Sequence, residues 1–249
     1  MEIVGTGFLA RNLRPLADSY PDTVALAAGV SWASGTSAAD FAREAELLRR
    51  TARRCAAEGL RLMFFSTAAT GMYGLAEGPG REDGPVTPCT PYGAHKLALE
   101  GLLRDTGADH LILRLGHLVG PDQPEHQLLP TLLRQLREGT IRIQRGAARD
   151  LIDVTDVVTV VDRLLALDLR AETVNVASGA AIPVEEIVDH LQHSLGLTAE
   201  RVYQYAGRQH DISIEKLRAL VPQVERMGFG PDYYRRILDN FTAGTGTRV

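Results

Sequence analysis

Tyr92 and Lys96 stand four residues apart in "TPYGAHKLALEGLL". On a helix that spacing stacks both side chains on one face, within reach of one bound molecule. A free phenol ionises near pH 10, and a neighbouring ammonium favours the phenolate. That would bring the group toward the operating pH and let it give or take a proton at a carbonyl or hydroxyl. The chain writes 25 of its positive side chains as arginine and only two as lysine, a bias that fits a GC-rich genome. A lysine here has a chemical reason, because an ammonium is a compact donor that can also hold sugar hydroxyls. With seven tyrosines and two lysines in 249 residues, chance supplies such a pair about 0.06 times per chain. The plainer alternative is an exposed helix start with a half-buried tyrosine and a solvated lysine.

A second candidate lies at the N-terminus. "VGTGFLAR" places Gly5, Gly7 and Ala10 between an apolar run and a helical pattern, the arrangement that lets backbone approach a pyrophosphate facing a helix start. A tight strand-to-helix turn needs the same glycines. The acidic residue that would hold a ribose 2′-hydroxyl about twenty positions on is absent, since "SYPDTVALAAG" puts no acid after its strand. NADPH is therefore expected, with NADH the other possibility. Arg11 and Arg14 are either 2′-phosphate ligands or solvated surface residues.

These residues need elements to carry them. "MEIVG", "TVALAAG", "LRLMFFST", "HLILRLG" and "ETVNVAS" read as strands, and the continuous apolar runs among them as strands buried on both faces. Between them, "SAADFAREAELLRRTARRCAAEG", the Tyr92 segment and "DVTDVVTVVDRLLAL" have helical spacing, with Gly59 ending the first. Further helices are expected at "LLPTLLRQLREG" and at "PVEEIVDHLQHSLG", while the tail "TAGTGTRV" should fray. Strands alternating with helices predict a parallel α/β sheet.

Composition excludes other classes. The formal charge of −4 offers no basic face for nucleic acid, and no apolar run approaches a membrane span. No leader precedes "MEIVG", so a cytosolic protein is expected. Cys55 and Cys89 read as free thiols without metal-ligand spacing, and no metal site is expected.

In order along the chain, "GFLARNL", "LAAGVS", "FFSTAATGMYG", "TPYGAHKLALEGLL", "LRLGHLVGP", "RDLIDVTDVV" and "VNVASG" resemble the successive signatures of extended short-chain dehydrogenase/reductases, the epimerase/dehydratase-like family. Among its branches they look like the small NDP-hexose 4-ketoreductases of deoxysugar pathways. The resemblance runs from Met1 to about Gly196, and more faintly through "HDISIEKLRAL". It implies a Rossmann-like doubly wound parallel sheet with a small C-terminal substrate lobe. Residues 1–118, completed by 150–178, would bind the dinucleotide, and 119–149 with 179–249 would bind the sugar.

The resemblance also implies roles. Tyr92 would be the acid/base and Lys96 its electrostatic partner and a ribose ligand. Gly5, Gly7, Phe8, Leu9, Ala10, Arg11 and Ala28 would contact the cofactor. Ser66 or Thr67 would hydrogen-bond the substrate oxygen; Thr67 is chosen and Thr70 held in reserve, because "STAATGMYG" is one residue longer than the common form. Tyr73 would line the sugar side. His117 replaces the family's usual asparagine, and Arg149 matches the arginine that approaches the nucleotide diphosphate, unless it forms a surface ion pair with Asp150 or Asp153.

"DTVALAAGVS" resembles the family's fourth strand yet directly follows the first helix, so the second and third strands are missing, or "TVALAAG" takes the second strand's place. In the order 3-2-1-4-5-6 their loss shortens one edge and strips a wall from the adenosine pocket. It also forces the first helix to change face or to make a rare left-handed crossover.

The expected activity is NADPH-dependent reduction of a keto group, at C4, on a nucleotide-linked keto-deoxysugar. The alternatives are an NAD-dependent sugar-nucleotide epimerase and a non-catalytic sugar-nucleotide-binding or scaffold protein. Dehydration is disfavoured, because Ala68 and Ala69 stand where dehydratases of the family add carboxylates. The family often forms homodimers through two such helices; Phe41, Leu47, Leu48, Leu97, Leu99 and Leu102 would serve that contact or face the core.

Overall fold

The computed structural model describes residues 1–30, 36–69, 71–74, 78–205 and 211–245. The chain runs β1 (Glu2–Val4), α1 (Phe8–Leu13), a 3-10 turn, β2 (Thr23–Leu26), α2 (Ala38–Glu58), β3 (Arg61–Thr67), α3 (Pro91–Asp105) and β4 (His110–Leu115). It continues through β5 (His117–Val119), α4 (Leu128–Arg137), β6 (Thr140–Arg145), β7 (Ala148–Asp153), α5 (Val154–Ala166) and β8 (Glu172–Val176). The last elements are β9 (Ala181–Pro183), α6 (Val184–Leu195), β10 (Glu200–Tyr205), α7 (Glu215–Leu220) and α8 (Tyr233–Thr245).

Five strands form one parallel sheet in the order β1-β2-β3-β4-β8, a Rossmann-like α/β architecture. All seven residues of β3 are buried. The two-residue period sends Leu62 and Phe64 to one face, under Leu48, Ala52 and Leu103 of α2 and α3. Met63 and Phe65 face the other side, under Val157, Val160 and Leu164 of α5. Leu13 of α1 joins this second face.

β1 is the edge of the sheet and β2 is its neighbour toward β3. The strand after the first helix thus takes the inner position, and the shortening falls at the outer edge. The steps β1→β2, β2→β3 and β3→β4 all move the same way across the sheet, but α1 lies on the face opposite α2 and α3. The β1–α1–β2 crossover therefore has the opposite hand to its two successors. With those right-handed, as the twist of strands requires, it is left-handed.

Local sequence sets the helix ends. Ser37 and Asp40 close a reciprocal capping box on α2, and Gly59 ends that helix at φ +68°. Thr90 caps α3 by accepting from Gly93 N at 3.0 Å, and Pro91 supplies the first helical residue. That cap puts Tyr92 in the opening turn and Lys96 one turn later.

A second lobe packs α4, α6 and α8 around Leu132, Ile141, Ile187 and Ile237, with β6 and β10 paired in parallel. β7 pairs with β5 in parallel and with β9 antiparallel. The expected lobe boundary needs correction at one segment. Ile212, Ile214, Leu217, Val221 and Val224 belong to the core of the large sheet. Asn175 of β8 anchors them, its Nδ2 donating to the carbonyls of Ser213 and Gly80 at 3.0 Å. The expected frayed tail is helical as far as Thr245, and 246–249 lie outside the described residues.

Leu48 and Leu99 are core, Leu47, Leu97 and Leu102 pack half-buried against it, and Phe41 stacks on His95. Among the described residues no helix is long and apolar enough to cross a membrane.

Candidate active site

A cleft of about 660 Å³ opens beyond the carboxyl ends of the large sheet, with the second lobe as its far wall. On the β1 side, Gly5 has φ +138°, and a Cβ there would lie 2.5 Å from the carbonyl oxygen of Ala27, so only glycine lets the first turn pass under the second strand. Gly7 caps α1 without a side-chain bond, and nothing stands within 4 Å of where its Cβ would be. Gly7, Phe8 and Leu9 line the cleft; Ala10 turns into the core, and Ala28 is exposed between the lining residues Ala27 and Gly29. Arg11 is a staple in this structure, donating to Thr6 O at 3.3 Å and to Asp122 O at 3.1 Å and so tying the glycine turn to the loop after β5. Arg14 is exposed and makes no ion pair among the described residues.

Tyr92 and Lys96 both line the cleft, with Lys96 Nζ 5.7 Å from the Tyr92 ring centroid. The phenol donates to Val30 O at 3.2 Å. Lys96 is 3% exposed and donates to Glu44 Oε1 at 2.7 Å and to Phe65 O at 3.2 Å. Glu44 corrects the electrostatic expectation. Burial pushes the Tyr92 phenol above its ordinary range; Lys96 pulls it down, Glu44 pushes it back up, and the net direction is upward. Burial opposes the charge on Lys96, but Tyr92 and Glu44 outweigh it and hold the ammonium firmly protonated.

Ser66 and Thr67 end β3 on opposite faces. The Ser66 hydroxyl donates to Glu100 Oε1 at 2.6 Å, and that carboxylate is gripped by Arg114 through Nε at 2.9 Å and Nη2 at 2.7 Å. Thr67 lines the cleft with its hydroxyl on Ala69 O at 3.1 Å. Thr70 lies outside the described residues. Tyr73 does not line the sugar side: it is 1% exposed, its hydroxyl donates to Asn175 Oδ1 and accepts from Arg114, and the backbone of Gly80 packs on its ring. The phenol fills a polar slot in the core.

The far wall is built differently. Arg149 lines the cleft but is not paired with either aspartate. Asp150 accepts from Ser178 N, Ser178 Oγ, Gly179 N and Ala180 N at 2.7–3.1 Å, and burial still pushes it up to about 6. Asp153 caps α5 instead. Among the described residues Arg149 donates only to Ala148 O and Gln144 Oε1, and burial pulls its pKa down. His117 lines the same wall, pushed down to about 3 by burial and then by Arg149, so its ring is neutral.

Sequence reasoning missed four residues here and one behind the near wall. Arg142, Gln123, Gln127 and Gln144 line the cleft. His117 Nδ1, Gln123 Nε2 and Gln127 Oε1 are buried without a partner among the described residues. The alternation in "TIRIQR", with Ile141 and Ile143 inward, is the signal that puts Arg142 and Gln144 together on the open face. For Glu44 the signal is its register with Leu48, Thr51, Ala52 and Cys55 on the buried stripe of α2. No described carboxylate lines the cleft, while Lys96, Arg142 and Arg149 do. Such a site favours an anion at one end and hydroxyl groups, which both donate and accept, at the other.

A family model described as the NAD dependent epimerase/dehydratase family matches residues 10–177. The chain belongs to that family. It is 48% identical over 67 residues to UDP-glucose 4-epimerase of Azospirillum brasilense, a match covering 25% of this chain and 19% of that protein. Over 133 residues it is 33% identical to dTDP-6-deoxy-L-talose 4-dehydrogenase (NAD(P)(+)) of Kitasatospora kifunensis, covering 48% and 42%. The matches thus span less than half the length of these two curated relatives. Among solved structures, RMD from Pseudomonas aeruginosa complexed with NADPH superposes with TM-score 0.77 at 22% identity, covering 99% of both chains. That likeness is one of fold, and it places this epimerase/dehydratase-family chain among Rossmann-like proteins.

Proposed function

We propose that this chain is an NADPH-dependent ketoreductase acting on a keto group, at C4, of a nucleotide-linked deoxysugar, with Tyr92 as proton donor. The observation that carries the reading is a cleft that joins the Tyr92–Lys96 pair to two arginines without carboxylate partners among the described residues, in a lining free of described acids. Arg142 and Arg149 suit a diphosphate. The unpartnered atoms of His117, Gln123 and Gln127 suit sugar hydroxyls. A lining without carboxylates favours carbonyl reduction over dehydration. The Kitasatospora relative's name supports the same chemistry.

The residues present fit a nicotinamide dinucleotide on its pyrophosphate and nicotinamide-ribose side. Gly5 makes the turn and Gly7 leaves the space, Phe8 and Leu9 floor it, and Lys96 has one of its three donors left for ribose hydroxyls. On the adenosine side no described strand pairs beyond the edge strand β1; Arg14, and Arg11 if released, are the cations for a 2′-phosphate. When bound, the reduced nicotinamide supplies a hydride to the ketone carbon. Tyr92 exchanges its long bond to Val30 O for the ketone oxygen and gives it the phenolic proton, completing an alcohol; water then returns a proton to the phenolate. Thr67 is the hydroxyl that orients the carbonyl, and Ser66 stays committed to Glu100.

An epimerase is the second reading, favoured by the Azospirillum relative; a non-catalytic binding protein is the third, favoured by the bare edge at β1. Titration with NADPH and NADH, followed by a 4-keto sugar nucleotide, separates the three. The ketoreductase binds NADPH and oxidises it in proportion to ketone. Chain that purifies with NAD and interconverts epimers, or that binds neither nucleotide, contradicts it.

A further inference from the structure

The phenol and ammonium of the cleft have a third member beneath them. Glu44 projects from α2 into its seam with α3, 5% exposed, and its carboxylate is divided between two groups of α3: Oε1 accepts from Lys96 Nζ at 2.7 Å and Oε2 meets His95 Nε2 at 2.9 Å. Phe41, on the preceding turn of α2, stacks on His95 with centroids 4.2 Å apart. The backbone of Gly29 closes the assembly from above: a Cβ there would stand 2.5 Å from Glu44 Oε1 and 2.9 Å from Lys96 Nζ. Glycine at this position therefore makes room for an ion pair, not for a bend in the chain.

The pair changes what Lys96 can do to Tyr92. An isolated buried ammonium 5.7 Å from the ring would draw the phenol toward ionisation. With a carboxylate at 2.7 Å from the ammonium, Glu44 opposes the pull of Lys96 on the phenol and cancels part of it, and burial adds to the upward push. The other groups facing the pair do not restore it. Glu100, one turn further along α3, adds negative charge that Arg114 already balances. His117, from β5, is uncharged. Among the described residues, the cleft-lining ends of β2 and β3, from Leu26 to Val30 and from Phe65 to Ala69, bring no group that is ionisable in the working range.

We propose that Glu44 is a positioning residue: it holds Lys96 in a closed ion pair, so that Tyr92 waits as the protonated phenol, an acid for carbonyl reduction and not the base that removing a hydroxyl proton requires. The proposal rests on the ketoreductase reading for its direction of reaction, but its electrostatics can be tested without substrate or cofactor. Protein carrying tyrosine labelled with 13C at Cζ, with the Tyr92 resonance assigned through Tyr92→Phe, is titrated with base and followed by NMR.

In the parent chain Tyr92 is expected to remain protonated at about pH 10, where a free phenol is half ionised. In Glu44→Gln its midpoint should fall by about one pH unit or more, whereas Glu44→Asp, which keeps the charge, should stay near the parent. An unchanged midpoint in Glu44→Gln overturns the proposal. So does a parent phenol that ionises below pH 10, a result that needs no variant to fold. Turnover then separates the two claims. If the phenol titrates as expected but no 4-keto sugar nucleotide is reduced, the ketoreductase reading falls while the role of Glu44 in holding the phenol protonated stands. If ketone is reduced by a chain whose phenol ionises early, the reaction stands and the role of Glu44 falls.

Discussion

The two walls of the cleft differ in how their polar groups are satisfied. On the α3 wall and in the core behind it, the buried charges are paired, Lys96 with Glu44 and Arg114 with Glu100, and Ser66 and Tyr73 are bonded into the second pair. On the wall formed by the second lobe, Arg149 and Arg142 have no carboxylate among the described residues, and three buried polar atoms have no partner among them. Unsatisfied buried groups cost free energy that a fold tolerates where a ligand will repay it. Under the proposed function, the difference separates a wall that holds reacting groups still from a wall that binds.

Breaking the satisfied wall should have the largest effect. Arg114→Met leaves the fully buried Glu100 without its bidentate partner and should cost about 3–5 kcal/mol in chemical unfolding. The same truncation on the open wall should not destabilise. Arg149→Ala removes a cation that has no carboxylate to lose, so its stability should match or exceed the parent's. Its KM for a sugar diphosphate should rise about tenfold to a hundredfold, the worth of a charge-assisted bond, with kcat less affected.

A smaller effect, of defined sign, sharpens the comparison further. His117 has a folded-state pKa of about 3, far below that of an unfolded histidine, so between those values the unfolded chain binds more protons. The histidine's contribution is complete above about pH 6.5 and is lost as pH falls toward 3. His117→Asn should therefore lose less stability than the parent on acidification across that window, measured as the difference in unfolding midpoint at each pH. Equal losses would mean that His117 is not buried neutral. Smallest of all, Arg14→Ala should leave stability unchanged within about 0.5 kcal/mol and weaken NADPH more than NADH.

What the sequence made legible follows from how local each signal is. The Thr90 cap, Pro91 and the four-residue spacing place Tyr92 and Lys96 together without knowledge of any other element, and the structure puts both in the cleft. The α/β alternation and the shortened sheet edge were readable for the same reason. Tyr73 was misread because its surroundings come from Asn175, Arg114 and Gly80, all distant in the chain. Glu44 was invisible as a partner for Lys96: its register marks it as inward-facing, but only the packing of α2 on α3 says against what. The side of α1 was likewise undecidable from sequence, since both faces of the sheet offer it an apolar surface.

The central claim is that Tyr92 gives its proton to a ketone in this cleft. Its most direct test is the rate of NADPH oxidation by Tyr92→Phe at saturating 4-keto sugar nucleotide, with nucleotide binding measured on the same sample. The account predicts a rate about a hundredfold to ten-thousandfold below the parent's, the usual worth of a positioned general acid, with NADPH affinity unchanged. A variant that turns over as fast as the parent would contradict it.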